Sequence, residues 1–390
     1  MFQPAQRMQF FQEHYFASLG ARLAALRSQG GDIIRLDEGA PDLPPAPHII
    51  ETLTRAAGRP DAHSYQPQRG FAELRQAWAE MYRRAYGVMV DPELEVLPLL
   101  GSKEGIAHLP LAAVDPGQVV LAPDPGYVTY SRGAYLAGGE IHYFPLNPER
   151  DYLPDLQAIP PGILQRARLL WLNYPNNPTA ATASLDFFSE AVDFARQNRL
   201  ILCHDAAYTQ VCFDGYRAPS LLEVPGAKEV CVEFNTLSKS HNMAGWRVAA
   251  AIGNPALIRS LHSLKTNLDS GHFRPVLEAA AAAMTGDQAW LQERNEIYRQ
   301  RRDVVVQALQ QLEIKTSVPK ASLYVWFRVP PGHTGDDFAA ALLERAHVSL
   351  TPGSVFGSGG EGFIRLSLTA PVEKVEEAMR RLGKFVKENT

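Results

Sequence analysis

Short apolar runs recur through the middle of the chain. They fall at Glu95–Leu100, Val119–Ala122, Ile141–Phe144, Leu169–Asn173, Leu200–His204, Val230–Phe234 and Val248–Ile252. Several are β-branched and lack polar alternation, which is the pattern of strands buried on both faces. Helical segments lie between them. In Leu185–Gln197 the apolar positions 187, 188, 191, 192, 194 and 195 share one face, and Ser184 is placed to cap it. This alternation predicts an α/β unit, a mostly parallel seven-stranded sheet between helices. Ligands of such sheets bind beyond the carboxyl ends of the strands.

The chain ends follow other patterns. Residues 1–30 read as an amphipathic helical arm, and Pro41 to Pro47 as an irregular crossing. The tail alternates a helix (Trp290–Leu312), a strand (Ser322–Val329), a helix (Asp336–His347), a strand (Phe363–Leu368) and a helix (Val372–Glu388). That is a second, α+β unit. A length of 390 residues accommodates two domains, with 46% hydrophobic and 21% charged residues. A net charge of −4 gives no basic surface for nucleic acid or a membrane. Cys203, Cys212 and Cys231 sit in apolar contexts and read as reduced core residues. No apolar run spans a bilayer and no signal peptide is evident, so a cytoplasmic enzyme is expected.

The chemistry collects at the predicted strand ends. Asn235-Thr236-Leu237-Ser238-Lys239-Ser240 follows the Val230–Phe234 strand, and Arg247 comes eight residues after Lys239. A desolvated lysine has a lowered pKa, so its neutral amine can form a Schiff base. Hydroxyls and a guanidinium suit a phosphate. Pyridoxal phosphate (PLP) needs both; the plain alternative is a strand-end lysine with a salt-bridging arginine. Gly101-Ser102-Lys103-Glu104-Gly105 opens a helix through Leu111, with Ser102 as a natural N-cap. Free amides there make an anion site, or simply a capped helix. Pro110 should kink or break that helix.

Other turns carry weaker signals. Prolines stiffen Pro123-Asp124-Pro125-Gly126-Tyr127, so Tyr127 either stacks on a flat heterocycle or packs locally. Asn173-Tyr174-Pro175-Asn176-Asn177-Pro178-Thr179 is a rigid polar turn. Asp205 closes the Leu200–His204 strand, where an acid is often just solvated. Arg365 lies inside a strand-like run and needs an anion, internal or bound. The Gly353–Gly360 stretch has no strand–turn–helix context and is no dinucleotide fingerprint.

The Lys239 segment resembles the lysine signature of class I/II aminotransferases, and the other motifs match in family order from roughly residue 15 onward. The resemblance implies a fold-type I PLP-transferase. It implies an arm and part of the small domain over 1–45, a large PLP-binding domain over 46–285 and a small C-terminal domain over 286–390. It makes Lys239, Asp205 and Tyr208 catalytic. Lys239 would carry the cofactor and shuttle the substrate proton. Asp205 would pair with the pyridine nitrogen, and Asn177 and Tyr208 would reach the phenolic oxygen. Tyr127 would stack on the ring. Ser102, Lys103 and Glu104, through backbone or side chain, would hold the phosphate together with Thr236, Ser238 and Arg247. Arg365 would fork the substrate carboxylate beside Asn177 and Gly39.

Tyr65 matches a tyrosine that reaches the neighbouring subunit's phosphate, implying a homodimer with shared sites; Asn267 to Gly271 would also approach the partner. The implied reaction is ping-pong transamination between an amino acid and a 2-oxo acid, with a PLP-dependent C–S lyase as the alternative on this fold. The Gly-Ser-Lys-Glu-Gly form is similar to that of the LL-diaminopimelate and succinyl-diaminopimelate aminotransferase group. Two positions depart from pattern. Gln68 stands where the best-known form of the first enzyme carries a glutamate for the distal ammonium. Ala180 replaces a glycine after Thr179, which requires a negative φ and predicts a slightly altered turn.

Overall fold

The computed structural model describes residues 2–11 and 15–389. After the helix Tyr15–Ser28, a short strand β1 (Ile34–Arg35) leads through an irregular stretch to the helix Pro47–Ala57. Seven strands follow: β2 (Val96–Leu99), β3 (Val119–Asp124), β4 (Glu140–Pro145), β5 (Ala167–Leu172), β6 (Ile201–Asp205), β7 (Cys231–Thr236) and β8 (Ala249–Gly253). They form one sheet in the order β2-β8-β7-β6-β5-β3-β4. Pairing is parallel from β4 through β7, and β8 runs antiparallel to both β7 and β2.

The lack of polar alternation has the expected cause. On β5, Leu169 and Trp171 pack into the core on one face while Leu170 and Leu172 pack into the core on the other. Both faces are covered by helices, so neither can be polar. The helix Leu185–Gln197 starts where the sequence places it: the Phe187 amide donates to Ser184 Oγ at 3.1 Å.

The second unit is built around the strands β9 (Tyr324–Arg328), β10 (Val348–Ser349), β11 (Thr351–Pro352) and β12 (Phe363–Ser367). β11, β12 and β9 form an antiparallel sheet, with Arg365 opposite Trp326. β1 pairs parallel with β10, so residues near the amino end complete the carboxyl-terminal unit. Its core includes Leu36, Leu323, Val325, Ile364 and Leu366. The helix Ala289–Gln311 runs from one unit to the other. Among the described residues, no helix is long and apolar enough to cross a membrane.

Three local expectations are corrected. Ser102 does not cap its helix. Gly101 takes the N-cap position at φ 86°, and Ser102 is the first helical residue. The helix does not end at Pro110 but runs on to Ala113, closed by the Val114 amide bonding to the Pro110 carbonyl at 2.9 Å. Ala180 keeps a left-handed φ of 59°. The expected negative φ is not adopted, and alanine bears a cost of roughly 1–2 kcal/mol. Bonds from the Ala180 amide to Asn176 O (3.0 Å) and from the Asn176 amide to Ala181 O (2.9 Å) hold it there.

Candidate active site

The ends of β5, β6 and β7 lie side by side. Asn177 follows β5, Asp205 closes β6, and Lys239 sits on the one-turn helix Leu237–Ser240 that continues β7. Thr236 starts that helix by accepting the Ser238 amide at 3.1 Å. The Thr236 hydroxyl also donates to Val248 O at 3.1 Å. Its part is to set the turn that presents Lys239.

The Lys239 side chain is half-buried, and its amine donates to the Gly39 carbonyl at 2.5 Å. Burial, then the charges of Arg365 and Arg247, lower its pKa to about 8, against a smaller opposing pull from Asp205. Asp205 is more fully enclosed. Burial raises its carboxyl to about 6, although Tyr130 donates to Oδ2 at 3.0 Å. The other oxygen, Oδ1, is buried with no hydrogen-bond partner. A buried carboxylate oxygen without a partner costs free energy that a protonated ring nitrogen would recover.

The Asn turn is knitted by its own amides. Asn173 donates to Asp205 O at 2.7 Å and accepts the Asn177 amide at 2.7 Å. The Asn177–Pro178 bond is cis. Asn177 Oδ1 accepts from Arg365 Nη1 at 2.9 Å, and Arg365 Nη2 donates to Asp37 O at 2.9 Å. The Arg365 guanidinium is 4% exposed, lies over Tyr324 and Phe356 at 4.3 and 4.7 Å, and has an unpartnered Nε. Among the described residues no carboxylate pairs with it. A buried cation in that state is poised for an anion from outside.

A second cationic group lies at the Ser102–Ala113 helix start. A Cβ on Gly101 would fall 2.1 Å from Arg247 Nη2, so only glycine lets the guanidinium come this close. Arg247 itself has a left-handed φ of 60°, and its Nη1 donates to Ala244 O at 2.8 Å. Burial and the charges of Arg132 and Arg247 hold the Lys103 amine below the ordinary lysine value. Arginines, a lysine and a helix start together suit a phosphate. The Glu104 side chain is engaged on the other side: its carboxylate takes the Leu100 amide and pairs with Lys265 at 2.8 Å.

The structure thus gathers Gly39, Lys239, Asp205, Asn177 and Arg365, with Tyr208 joined through Tyr324 (hydroxyls 2.8 Å apart). Tyr127 lies edge-on to Tyr130 at 5.8 Å. Tyr65 is not drawn in; its side chain is 94% exposed in the single chain. Sequence reading missed Tyr130, Arg132 and Tyr324. Tyr324 is hidden in an apolar run, and only the register of β9 against β12 brings it to Arg365. The lone Asp205 Oδ1, the lowered Lys239 amine and the Gly101–Arg247 cradle fit a PLP ring, aldehyde and phosphate respectively.

A family model for aminotransferase class I and II matches residues 31–382. The chain belongs to the class I and II aminotransferases. It is 48% identical to the LL-diaminopimelate aminotransferase of Moorella thermoacetica, across 98% of each chain. It is 46% identical to the enzyme of that name from Nitratidesulfovibrio vulgaris, across 98% of this chain and 99% of the other. Among solved structures, substrate-bound BacF from Bacillus subtilis superposes with a TM-score of 0.95 at 37% identity, covering 99% of this chain and 98% of that one. A probable N-succinyldiaminopimelate aminotransferase from Thermus thermophilus gives 0.90 at 36% identity, covering 95% and 99%. The protein is a fold-type I, PLP-dependent aminotransferase acting on amino and 2-oxo acids. The relatives support transamination and not the C–S lyase alternative.

Proposed function

We propose that this aminotransferase works on a diaminopimelate-type amino donor, with a 2-oxo acid as acceptor. The observation that carries the site assignment is Arg365, a buried guanidinium with an unpartnered Nε and no carboxylate partner among the described residues. It would take the substrate α-carboxylate in a two-pronged bond, with Asn177 and Gly39 beside it. PLP, when bound, supplies an electron sink for the negative charge that develops at the α-carbon. Lys239 would accept the α-proton and return it, a role matched to an amine lowered to about 8. Asp205 would hold a proton on the ring nitrogen, and Tyr208, steadied by Tyr324, would face the phenolic oxygen. Ser102, Lys103, Ser238 and Arg247 would hold the phosphate and Tyr127 the ring face.

Relatives at 43–48% identity across 98% of the chain bear the name LL-diaminopimelate aminotransferase, which supports the donor class. At position 68 the amide nitrogen is spent on the Thr266 and Asp269 carbonyls, both at 3.3 Å. Its oxygen is the end that can accept from a distal ammonium. We read the active unit as a cytoplasmic homodimer in which Tyr65 serves the partner's phosphate; its exposed ring and the three free cysteines fit that reading.

A half-reaction screen tests the proposal. PLP-loaded protein is mixed with LL-diaminopimelate, its succinyl derivative, glutamate, alanine, aspartate, methionine or phenylalanine, and the visible cofactor absorption is followed without acceptor. The absorption should disappear fastest with LL-diaminopimelate. A faster loss with glutamate, alanine, aspartate, methionine or phenylalanine would reject the assigned substrate class.

A further inference from the structure

Two buried arginines on one face of the helix Ala289–Gln311 have no part in the site as described. Arg294 is 3% exposed, and among the described residues no carboxylate pairs with it. All five of its N–H groups are nevertheless used, each on a neutral oxygen. Nη1 donates to the carbonyls of Lys239 (3.2 Å) and Ser240. Nη2 donates to Gln210 O and Asn295 Oδ1, both at 2.7 Å, and Nε to Asn295 Oδ1 at 3.2 Å. Asn295 braces the same Gln210 carbonyl at 3.1 Å. Burying an uncompensated cation is costly, and burial holds this guanidinium down to about 10. The cost is spent on the backbone of Lys239 and on the segment two residues past Tyr208.

Arg301 lies seven residues on, two turns or about 10 Å along the same face. It forks Asp42 (2.8 and 2.9 Å) and donates to Leu368 O at 2.9 Å. Asp42 is three residues past Gly39, and Leu368 three past Arg365. One rigid helix therefore grips the segment bearing the amine at one point and the segments bearing Gly39 and Arg365 at the next.

We propose that Arg294 and Arg301 are positioning residues that set the spacing between the Lys239 amine and the Arg365 guanidinium. Neither touches substrate or cofactor. The inference rests on the roles given above to Lys239 and Arg365. Arg294 fixes the height at which Lys239 presents its amine, and Arg301 fixes the carboxylate fork against it. Lysine cannot replace Arg294, because three donors on a flexible stem do not reach carbonyls on two segments.

The test uses Arg294→Gln, Arg294→Lys and Arg301→Gln in the full chain, with folding checked by circular dichroism. In the cofactor-free protein, the pH dependence of Lys239 modification by an amine-reactive reagent is read by mass spectrometry. Both Arg294 variants should move the midpoint toward that of an ordinary lysine. In the loaded enzyme they should lower kcat at least about tenfold with little change in KM, whereas Arg301→Gln should chiefly raise KM. If the Arg294→Lys protein folds and keeps the wild-type labelling midpoint and kcat, the positioning role is overturned. Mapping the borohydride-reduced cofactor adduct in the wild type checks Lys239 itself, so failure of that assignment is told apart from failure of this one.

Discussion

The Lys239 amine donates to the Gly39 carbonyl at 2.5 Å, although 200 residues separate them in the chain. The bond joins the end of the large sheet to the segment that enters the small unit. It also shows why position 39 must be glycine. A Cβ there would lie 2.2 Å from the Tyr324 hydroxyl. Tyr324 supports Arg365 from below at 4.3 Å and bonds to Tyr208 at 2.8 Å.

Gly39→Ala should therefore act through Tyr324. The methyl group would push the tyrosine off Arg365 and raise KM for the amino donor by about tenfold or more, since overpacking costs on the order of 1–3 kcal/mol. Tyr324→Phe removes the clashing oxygen and leaves the nearest ring carbon at 3.2 Å. The double variant should recover part of the loss relative to Gly39→Ala alone. Steady-state kinetics on the four proteins decides it: strictly additive effects would contradict the clash.

Arg365→Lys keeps the charge but not the fork. A lysine ammonium cannot make two parallel bonds to a carboxylate, and a charge-assisted hydrogen bond contributes roughly 1.5–3 kcal/mol. KM for the amino donor should rise about 10- to 100-fold. Binding of PLP, measured by equilibrium dialysis, should change little, because Arg365 is assigned to the substrate and not to the phosphate. Equal losses in both measurements would reject that division.

Much of this site could be read from the sequence because the strands announce themselves. Buried parallel strands are continuous apolar runs, and the polar residue that ends each run is a ligand candidate by position alone. Placement just past those runs, joined to the family resemblance, singles out Asn177, Asp205 and Lys239, and the fold sets them side by side at the ends of β5, β6 and β7. Placement does not show which hydrogen-bonding groups a side chain already uses in the fold. Thr236 and Glu104 have suitable chemistry at suitable positions, yet one gives its proton to Val248 and the other is held by Lys265. It also misses Tyr130 and Tyr324, whose importance arises from tertiary register. Ala180 shows a third limit: propensity argued against a left-handed alanine, and a network of turn hydrogen bonds overrode it.

That alanine yields a stability prediction. Glycine at 180 would relieve roughly 1–2 kcal/mol of left-handed strain and give back about 0.4–1 kcal/mol of unfolded-chain entropy. Ala180→Gly should stabilise the cofactor-free protein by about 0.5–1 kcal/mol. Calorimetry on the two proteins should show a small rise in Tm; a fall would mean the surrounding turn prefers the methyl group.

The same two charges that fit the site to its chemistry should weaken the cofactor-free fold, and pH separates them. Asp205 titrates near 6 in the folded protein against an ordinary value of 3.8. Between those values the folded state binds a proton that the unfolded chain does not. Stability is therefore lost as pH rises through that window, and the loss persists above it, at a cost of order 3 kcal/mol. Lys239 behaves oppositely. Its folded value of about 8 lies below 10.5, so the burial penalty is present below about pH 8 and is relieved as pH climbs toward 10.5. At pH 7 both groups are charged, and each partly offsets the other. Asp205→Asn and Lys239→Met should each raise the Tm of the cofactor-free protein at pH 7 while abolishing transamination. The gain from Asp205→Asn should vanish near pH 4, where the wild-type carboxyl is already neutral in the fold. Because the two charges attract, each single variant also forfeits that attraction, and the double variant should exceed the sum. Thermal scans across pH 4 to 9 would show this crossing pattern; an Asp205→Asn protein less stable than wild type at pH 7 would mean that Tyr130 and Lys239 compensate the carboxylate fully even without the cofactor.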